Sequence, residues 1–246
     1  MTLIFLIYGL FIGSFLNVCI FRIPAGISSI VKPPYSCGSC GHRLNFIDML
    51  PVVNYIANRG KCMCCGEGYS LQYPLIELLN GILYALVYLK YGFSLTSVIY
   101  CIIISILVVI SFIDLKHKII PDGANIALAV VGAIFIFIER AGLYNSFLGS
   151  ITGFGLFLAI AFLTNAMGGG DIKLMAALGF LFGMRGVLFI TLTSFVSGAI
   201  ISLILLGLKI KSRKDEIPFG PFIALAALTY IFFGTVFINW YINIFI

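Results

Sequence analysis

The sequence predicts an all-α polytopic membrane protein of about eight transmembrane segments, with a small cytoplasmic insert between the first two. Three observations carry that prediction. The 246 residues are 61% hydrophobic and only 10% charged, whereas soluble domains run near half apolar and a quarter charged. Apolar stretches long enough to cross a bilayer recur along nearly the whole chain. Most polar character, with five of the seven cysteines, is confined to one stretch at 22–71. The net charge of +6 is not the footprint of a nucleic-acid partner, because in such a chain the placement of cations reports orientation in the bilayer. The expected partner is the lipid bilayer.

Taken in order, the spans are expected at about 2–21, 72–90, 95–113, 119–138, 146–166, 172–184, 187–208 and 219–243. The first has neither a basic flank nor a small-residue cleavage site, so Met1 to Phe21 is expected to stay as a spanning helix and not to be removed as a signal peptide. The sixth is short. At about 1.5 Å per residue it covers only ~20 Å of a hydrocarbon core of ~30 Å. It must be tilted, flanked by irregular backbone or partly inserted, and irregular backbone at depth survives only when buried or facing a water-filled cavity. No internal repeat or low-complexity tract is evident.

Counting cations sets the orientation. With the N-terminus outside, the cytoplasmic side holds Arg22, Lys32, Arg43, Arg59, Lys61, Lys116, Lys118, Lys173, Lys209, Lys211, Arg213 and Lys214. The outside keeps Lys90, Arg140 and Arg185, so the 15 cations divide 12 to 3. Positive charge concentrates on the cytoplasmic side, which selects N-out with eight crossings.

The insert at 22–71 carries "CGSC" (Cys37, Cys40) and "CMCC" (Cys62, Cys64, Cys65), two C-x-x-C pairs with 21 residues between them. The spacing resembles a zinc ribbon, in which two knuckles each give two thiolates to a tetrahedral metal. Gly38, Gly41 and Gly66 allow the turns that knuckles require. A reducing cytoplasm disfavours disulfides. The expected ligands are Cys37, Cys40, Cys62 and Cys65, with Cys64 as an alternative to Cys65. A four-thiolate site has no open position, so this zinc is structural, and an insert of about fifty residues needs such a staple. Cys19 and Cys101 lie in apolar spans and read as packing residues.

Two acids at membrane depth are the informative ones. Asp114 closes the third span in "FIDLKHKIIPD" and Asp171 opens the short segment in "MGGGDIKLMAALG". In the orientation above both sit at the cytoplasmic edge of the hydrocarbon. Each has a plainer reading: Asp171 as a helix N-cap, Asp114 as an interfacial charge balanced by Lys116 and Lys118. Together they suggest more. Two carboxylates from distant segments share one level, one lies behind three glycines, and the segment after it is too short to span. Close carboxylates do not both ionise easily, so one keeps a proton while the other acts as base on a water. An aspartic protease needs that arrangement. Gly168, Gly169 and Gly170 are expected to act as a hinge, using positive φ and the lack of side chains to present Asp171 towards Asp114.

"GSFLNVCIFRIP" (Gly13 to Pro24), the two cysteine pairs, "QYPLIELLNG" (Gln72 to Gly81), "FIDLKHKIIPD" (Phe112 to Asp122), "MGGGDIKLMAALG" (Met167 to Gly179) and "PFGPF" (Pro218 to Phe222) resemble, in order, the type IV prepilin peptidases. These are intramembrane aspartic proteases with a G-x-G-D element. The resemblance covers essentially the entire chain and departs at Gln72, where many members carry arginine. It implies a bifunctional bacterial inner-membrane enzyme. The enzyme cuts the short basic leader of a type IV prepilin, or of a pilin-like secretion or competence protein, at the cytoplasmic face. It then methylates the new N-terminus with S-adenosylmethionine. The resemblance makes Asp114 and Asp171 the catalytic pair. It gives Asp122 a role in helix entry, makes Lys173 either a substrate-orienting group or a modulator of Asp171, and makes Glu77 a candidate for methyl transfer or substrate binding. Gly168 and Gly170 support the site. The expected domains are the first helix at 1–21, the zinc domain at 22–71 and the peptidase at 72–246.

Two other functions fit parts of the chain. A transporter could use the aspartates as a proton or cation relay, but it predicts inverted repeats and leaves the cysteines without a purpose. A zinc-ribbon scaffold with a membrane anchor leaves the short segment and its glycines without one.

Overall fold

A computed structural model describes residues 1–26, 40, 51–139, 142–164, 167–210 and 216–245. Its elements are α1 (Thr2–Arg22), α2 (Val53–Ala57), α3 (Gln72–Tyr91), α4 (Leu95–His117), α5 (Asp122–Glu139), α6 (Leu143–Thr164), α7 (Gly169–Gly207) and α8 (Gly220–Phe245). The fold is all-α. Among the described residues the only strand-like pairing is an isolated bridge between Lys61 and Gly68.

Among the described residues five helices, α1, α4, α5, α6 and α7, are long and apolar enough to cross a membrane. The segment at 72–90 is a helix too, but α3 carries Glu77, Asn80 and Lys90 and is less apolar than those five. The two spans expected at 172–184 and 187–208 are one 39-residue helix broken at Gly183, where the backbone turns to φ 70, ψ −174. The first arm of α7 therefore ends within a residue of the expected boundary, and the break is the irregular backbone that its length required. α5 starts at Asp122 rather than 119 because α4 ends on Lys118 in the left-handed region, φ 55, with the Lys118 N–H donating to the Asp114 carbonyl at 2.8 Å. Pro121 then disfavours helical backbone at Ile120.

The chain forms two compact units, Met1–Val109 and Ile110–Ile246. In the first, α1 and α3 pack through glycines four apart. A Cβ on Gly9 would lie 2.7 Å from the Gly81 Cα, and one on Gly13 would lie 2.7 Å from the Glu77 Cα. Small residues at this spacing let backbones approach where no hydrophobic driving force separates helix from lipid. The approach is locked by buried amides. Asn80 Nδ2 donates to the Gly9 carbonyl at 2.8 Å and Asn17 Nδ2 to that of Tyr73 at 3.1 Å. Ser105 Oγ on α4 donates to Asn80 Oδ1 at 3.2 Å.

In the second unit α6 and α7 pack closest. A Cβ on Gly149 would run into the Gly179 carbonyl oxygen and the Gly183 backbone, and one on Gly153 into the Met175 carbonyl. Asn145 Oδ1 accepts the Met184 N–H at 3.3 Å, supplying an acceptor where the break at Gly183 interrupts the helical ladder. Phe157 of α6, Phe195 of α7 and Phe219 beside α8 form a triangle with ring centroids 5.8, 5.1 and 6.1 Å apart. That cluster fixes where α8 begins.

Candidate active site

Asp114 and Asp171 both belong to the second unit. Asp114 lies in the last turn of α4 and is only 5% exposed. Its Oδ2 accepts the Gly220 N–H at 2.8 Å. Gly220 is the first residue of α8, so one of the otherwise unpaired N–H groups at the head of that helix fixes the carboxylate. Asp171 lies in the first turn of α7, and its Oδ2 accepts the Gly168 N–H at 3.3 Å. Its Oδ1 is buried and has no hydrogen-bond partner. The two side chains are close enough for the charge of Asp114 to act on Asp171.

Each carboxylate is thus gripped by a backbone N–H at one oxygen, and Asp171 has its other oxygen uncommitted. The N-cap position expected as the plainer reading of Asp171 falls instead on Gly168, and Asp171, three residues on, accepts the Gly168 N–H with only one of its oxygens. Two acids held this way can share one proton and divide acid and base roles between them.

The glycine run works differently from expectation. None of Gly168, Gly169 and Gly170 has positive φ. Gly168 is the extended N-cap of α7, at φ −78 and ψ 155, and the other two are already helical. What glycine supplies is proximity: a Cβ on Gly170 would sit 2.9 Å from the Ile120 Cβ, while one on Gly169 would meet nothing. The run lets the link between α4 and α5 lie directly against the start of α7.

Lys173 and Asp122 are brought together, Nζ to Oδ1 at 2.7 Å, with both side chains more than half exposed. This pair joins the first turns of α5 and α7 at the surface. Exposed pairs contribute little stability, so its effect is on register. Lys118 makes a similar exposed pair with Glu216 at 3.2 Å.

Glu77 belongs to the first unit and is 7% exposed. Its Oε2 accepts the Val52 N–H at 2.8 Å, and the Ser14 side chain also hydrogen-bonds to it. Val52 is a β-branched residue at φ 60, at the centre of a tight turn closed by the Val53 N–H on the Pro51 carbonyl at 2.5 Å. Such positive-φ γ-turns are strained, and the buried carboxylate holds this one in place.

Cys40, Cys62 and Cys65 place their sulfurs within 4.8 Å of one another, with Cys40 and Cys62 4.0 Å apart. Tetrahedral zinc with bonds of ~2.3 Å needs sulfurs ~3.8 Å apart, so the three fit a metal ion. Cys65 rather than Cys64 is in the cluster. Cys37 lies outside the described residues. The knuckle is formed as expected: the Gly66 N–H returns to the Cys62 carbonyl at 2.9 Å and Gly66 takes φ 72. Hydrogen bonding from the Cys65 backbone, then from Tyr69 and the Cys64 backbone, lowers the Cys62 thiol from 9.0 to about 6, so it is poised as a thiolate ligand.

Gly220 is the site residue that sequence reasoning missed. Its only signal was a place in "PFGPF", which gave no indication of a contact with Asp114.

Comparison with known proteins adds the family. Residues 7–91 match the bacterial peptidase A24 N-terminal domain and residues 101–203 match the type IV leader peptidase family. The chain is 31% identical to the prepilin leader peptidase/N-methyltransferase of Legionella pneumophila, over 97% of this chain and 94% of that one. The protein of the same name from Bacillus subtilis (strain 168) is 30% identical over 99% and 98% of the two chains. That from Aeromonas hydrophila is 29% identical over 100% and 94%. No solved structure matches.

Proposed function

The chain belongs to the type IV leader peptidase family, and we propose on that premise that Asp114 and Asp171 are its catalytic pair. The protein is a membrane endopeptidase that removes the leader from type IV prepilins or pilin-like proteins, with an N-methyltransferase activity on the same chain. The observation that carries the catalytic assignment is the convergence of the buried Asp114 and the half-buried Asp171, each fixed at one oxygen by the N–H of a glycine at a helix start.

In this reading a water held between the carboxylates attacks the scissile carbonyl carbon. The ionised aspartate takes a proton from that water, while the protonated one donates to the carbonyl oxygen. Collapse of the tetrahedral species breaks the C–N bond, and the amine leaves with a proton from the pair. The substrate must first lose local helix, because helical carbonyls are hidden in i to i−4 bonds.

We place the N-terminus outside and the site at the cytoplasmic face of the bacterial inner membrane, following the cation count. Residues 22–71 form the zinc domain and 72–246 the peptidase. The metal is structural zinc, held by Cys40, Cys62 and Cys65 with Cys37 as the fourth ligand. S-adenosylmethionine is the methyl donor that the relatives' names imply. The geometry around Glu77 does not fit it in the way that the cysteines fit zinc, since Val52 and Ser14 already engage that carboxylate.

The direct test is purified protein with a prepilin substrate and S-adenosylmethionine, read by mass spectrometry. Loss of the leader is expected, followed by gain of one methyl group. Intact prepilin after prolonged incubation with folded protein would refute the assignment.

Zinc and site geometry separate under mutation. Cys40→Ser or Cys62→Ser should abolish stoichiometric zinc by elemental analysis and lower the melting temperature. A thiol depressed to about 6 contributes stability that is complete above its ordinary value and lost as pH falls through about 6. Protons also compete with the metal for the thiolates, so zinc should be lost to a chelator more readily as the pH falls. Full zinc content in either variant would contradict the ligand set.

Gly170→Ala should lower cleavage at least about tenfold, or ~1.4 kcal/mol of barrier, because the new Cβ forces Ile120 and the start of α7 apart. Zinc content should be unchanged. A wild-type rate in the folded variant would show that the close approach is immaterial.

A further inference from the structure

Asn125 lies one turn into α5 and is only 6% exposed, yet neither its Nδ2 nor its Oδ1 has a hydrogen-bond partner. Among the described residues it is the only side chain with both polar atoms left so. At membrane depth this is costly, because no lipid group replaces the missing partners. A sequence optimised only for packing would place leucine there.

Its location is defined by two contacts. Asp122, three residues earlier, pairs with Lys173. Gly132, seven residues later on the same buried row of α5 (Asn125, Leu128, Gly132, Ile136), meets Leu181, whose Cβ would be 3.5 Å from an added Cβ. The two helices thus run side by side in the same direction, 122 beside 173 and 132 beside 181. Asn125 faces α7 about one turn beyond Asp171, whose Oδ1 is the other buried, unpartnered oxygen of this unit.

We propose that Asn125 binds the main chain of the extended substrate segment beside the aspartate pair, Oδ1 accepting a substrate N–H and Nδ2 donating to a substrate carbonyl. A side-chain amide carries the same donor and acceptor as a peptide group, so it matches an unwound stretch of peptide and has no preference for that stretch's side chains. The unwinding that cleavage requires exposes these backbone groups, and Asn125 receives them. The proposal rests on the peptidase reading of Asp114 and Asp171.

The test uses full-length enzyme and prepilin substrates in which single backbone amides flanking the scissile bond are replaced by esters, removing one N–H at a time. Asn125→Leu and the smaller Asn125→Ala are both made, so that overpacking does not decide the result. For whichever variant retains the wild-type melting temperature, KM should rise at least about tenfold, which is ~1.4 kcal/mol, with kcat within about threefold. One ester position should weaken binding to wild type severalfold and leave the variant's KM unchanged. An unaltered KM in a folded variant overturns the proposal. So does a loss confined to kcat with every ester affecting both enzymes alike, the pattern expected if Asn125 only holds a water. Asp171→Asn is assayed in parallel: if it still cleaves, the peptidase reading itself has failed, whereas its inactivity beside an Asn125 variant of normal KM removes this proposal alone.

Discussion

Asp114→Asn and Asp171→Asn should each lower prepilin cleavage by at least about a thousandfold, ~4 kcal/mol of barrier, while zinc content and melting temperature stay near wild type. The replacement is isosteric, so packing is preserved. An amide oxygen still accepts the Gly220 or Gly168 N–H that grips each carboxylate. Lost are the negative charge that draws a proton from water and the proton that one carboxyl lends to the substrate oxygen. Neither is replaced by its partner, because acid and base are needed in the same transition state. Removing a buried acid beside another can even raise stability, since the folded state then no longer confines two acids together. Single-turnover cleavage and a melting curve on the same preparations check both halves of this expectation.

The second large effect is expected at Gly220. A Cβ there would stand 2.7 Å from Asp114 Oδ2 and 3.2 Å from its Cγ. The start of α8 has little freedom to retreat, because Phe219 is held against Phe157 and Phe195. The carboxylate must turn away instead, giving up the 2.8 Å bond from the Gly220 N–H. Displacements of about 1 Å in a reacting group cost on the order of a hundredfold, and Gly220→Ala should lose at least that much cleavage. Gly155→Ala is the control, since an added Cβ there meets nothing within 4 Å. It should cleave at the wild-type rate. Equal activity in the two variants would mean that Gly220 does not set the position of Asp114.

Much of the fold was legible because one property, apolar length, decides it in a bilayer. The break at Gly183 was foreshadowed by a segment too short to span, and the knuckle at Cys62 to Gly66 by its spacing. The chemistry at Asp114 and Asp171 could be suspected, because an acid at membrane depth has few plain reasons to exist. What could not be read was long-range contact. Gly220 touches a residue 106 positions earlier in the chain, and nothing local to "PFGPF" encodes that. The run at Gly168 to Gly170 was read as a source of unusual φ, whereas the structure uses Gly170 for close approach to Ile120. A sequence shows that a side chain is missing but not which neighbour fills the space. Glu77 was likewise seen as a group facing a ligand, and only the fold reveals the strained turn at Val52 that it holds.

The central claim is that Asp114 and Asp171 act as one unit, and the most direct measurement is single-turnover cleavage by both single Asn variants and the double variant, all verified as folded. Groups that act together are non-additive when removed. The account predicts that each single variant falls at least about a thousandfold and that the double variant falls no further. A single variant within about tenfold of wild type, or a double variant whose loss is the product of the two single losses, would contradict it.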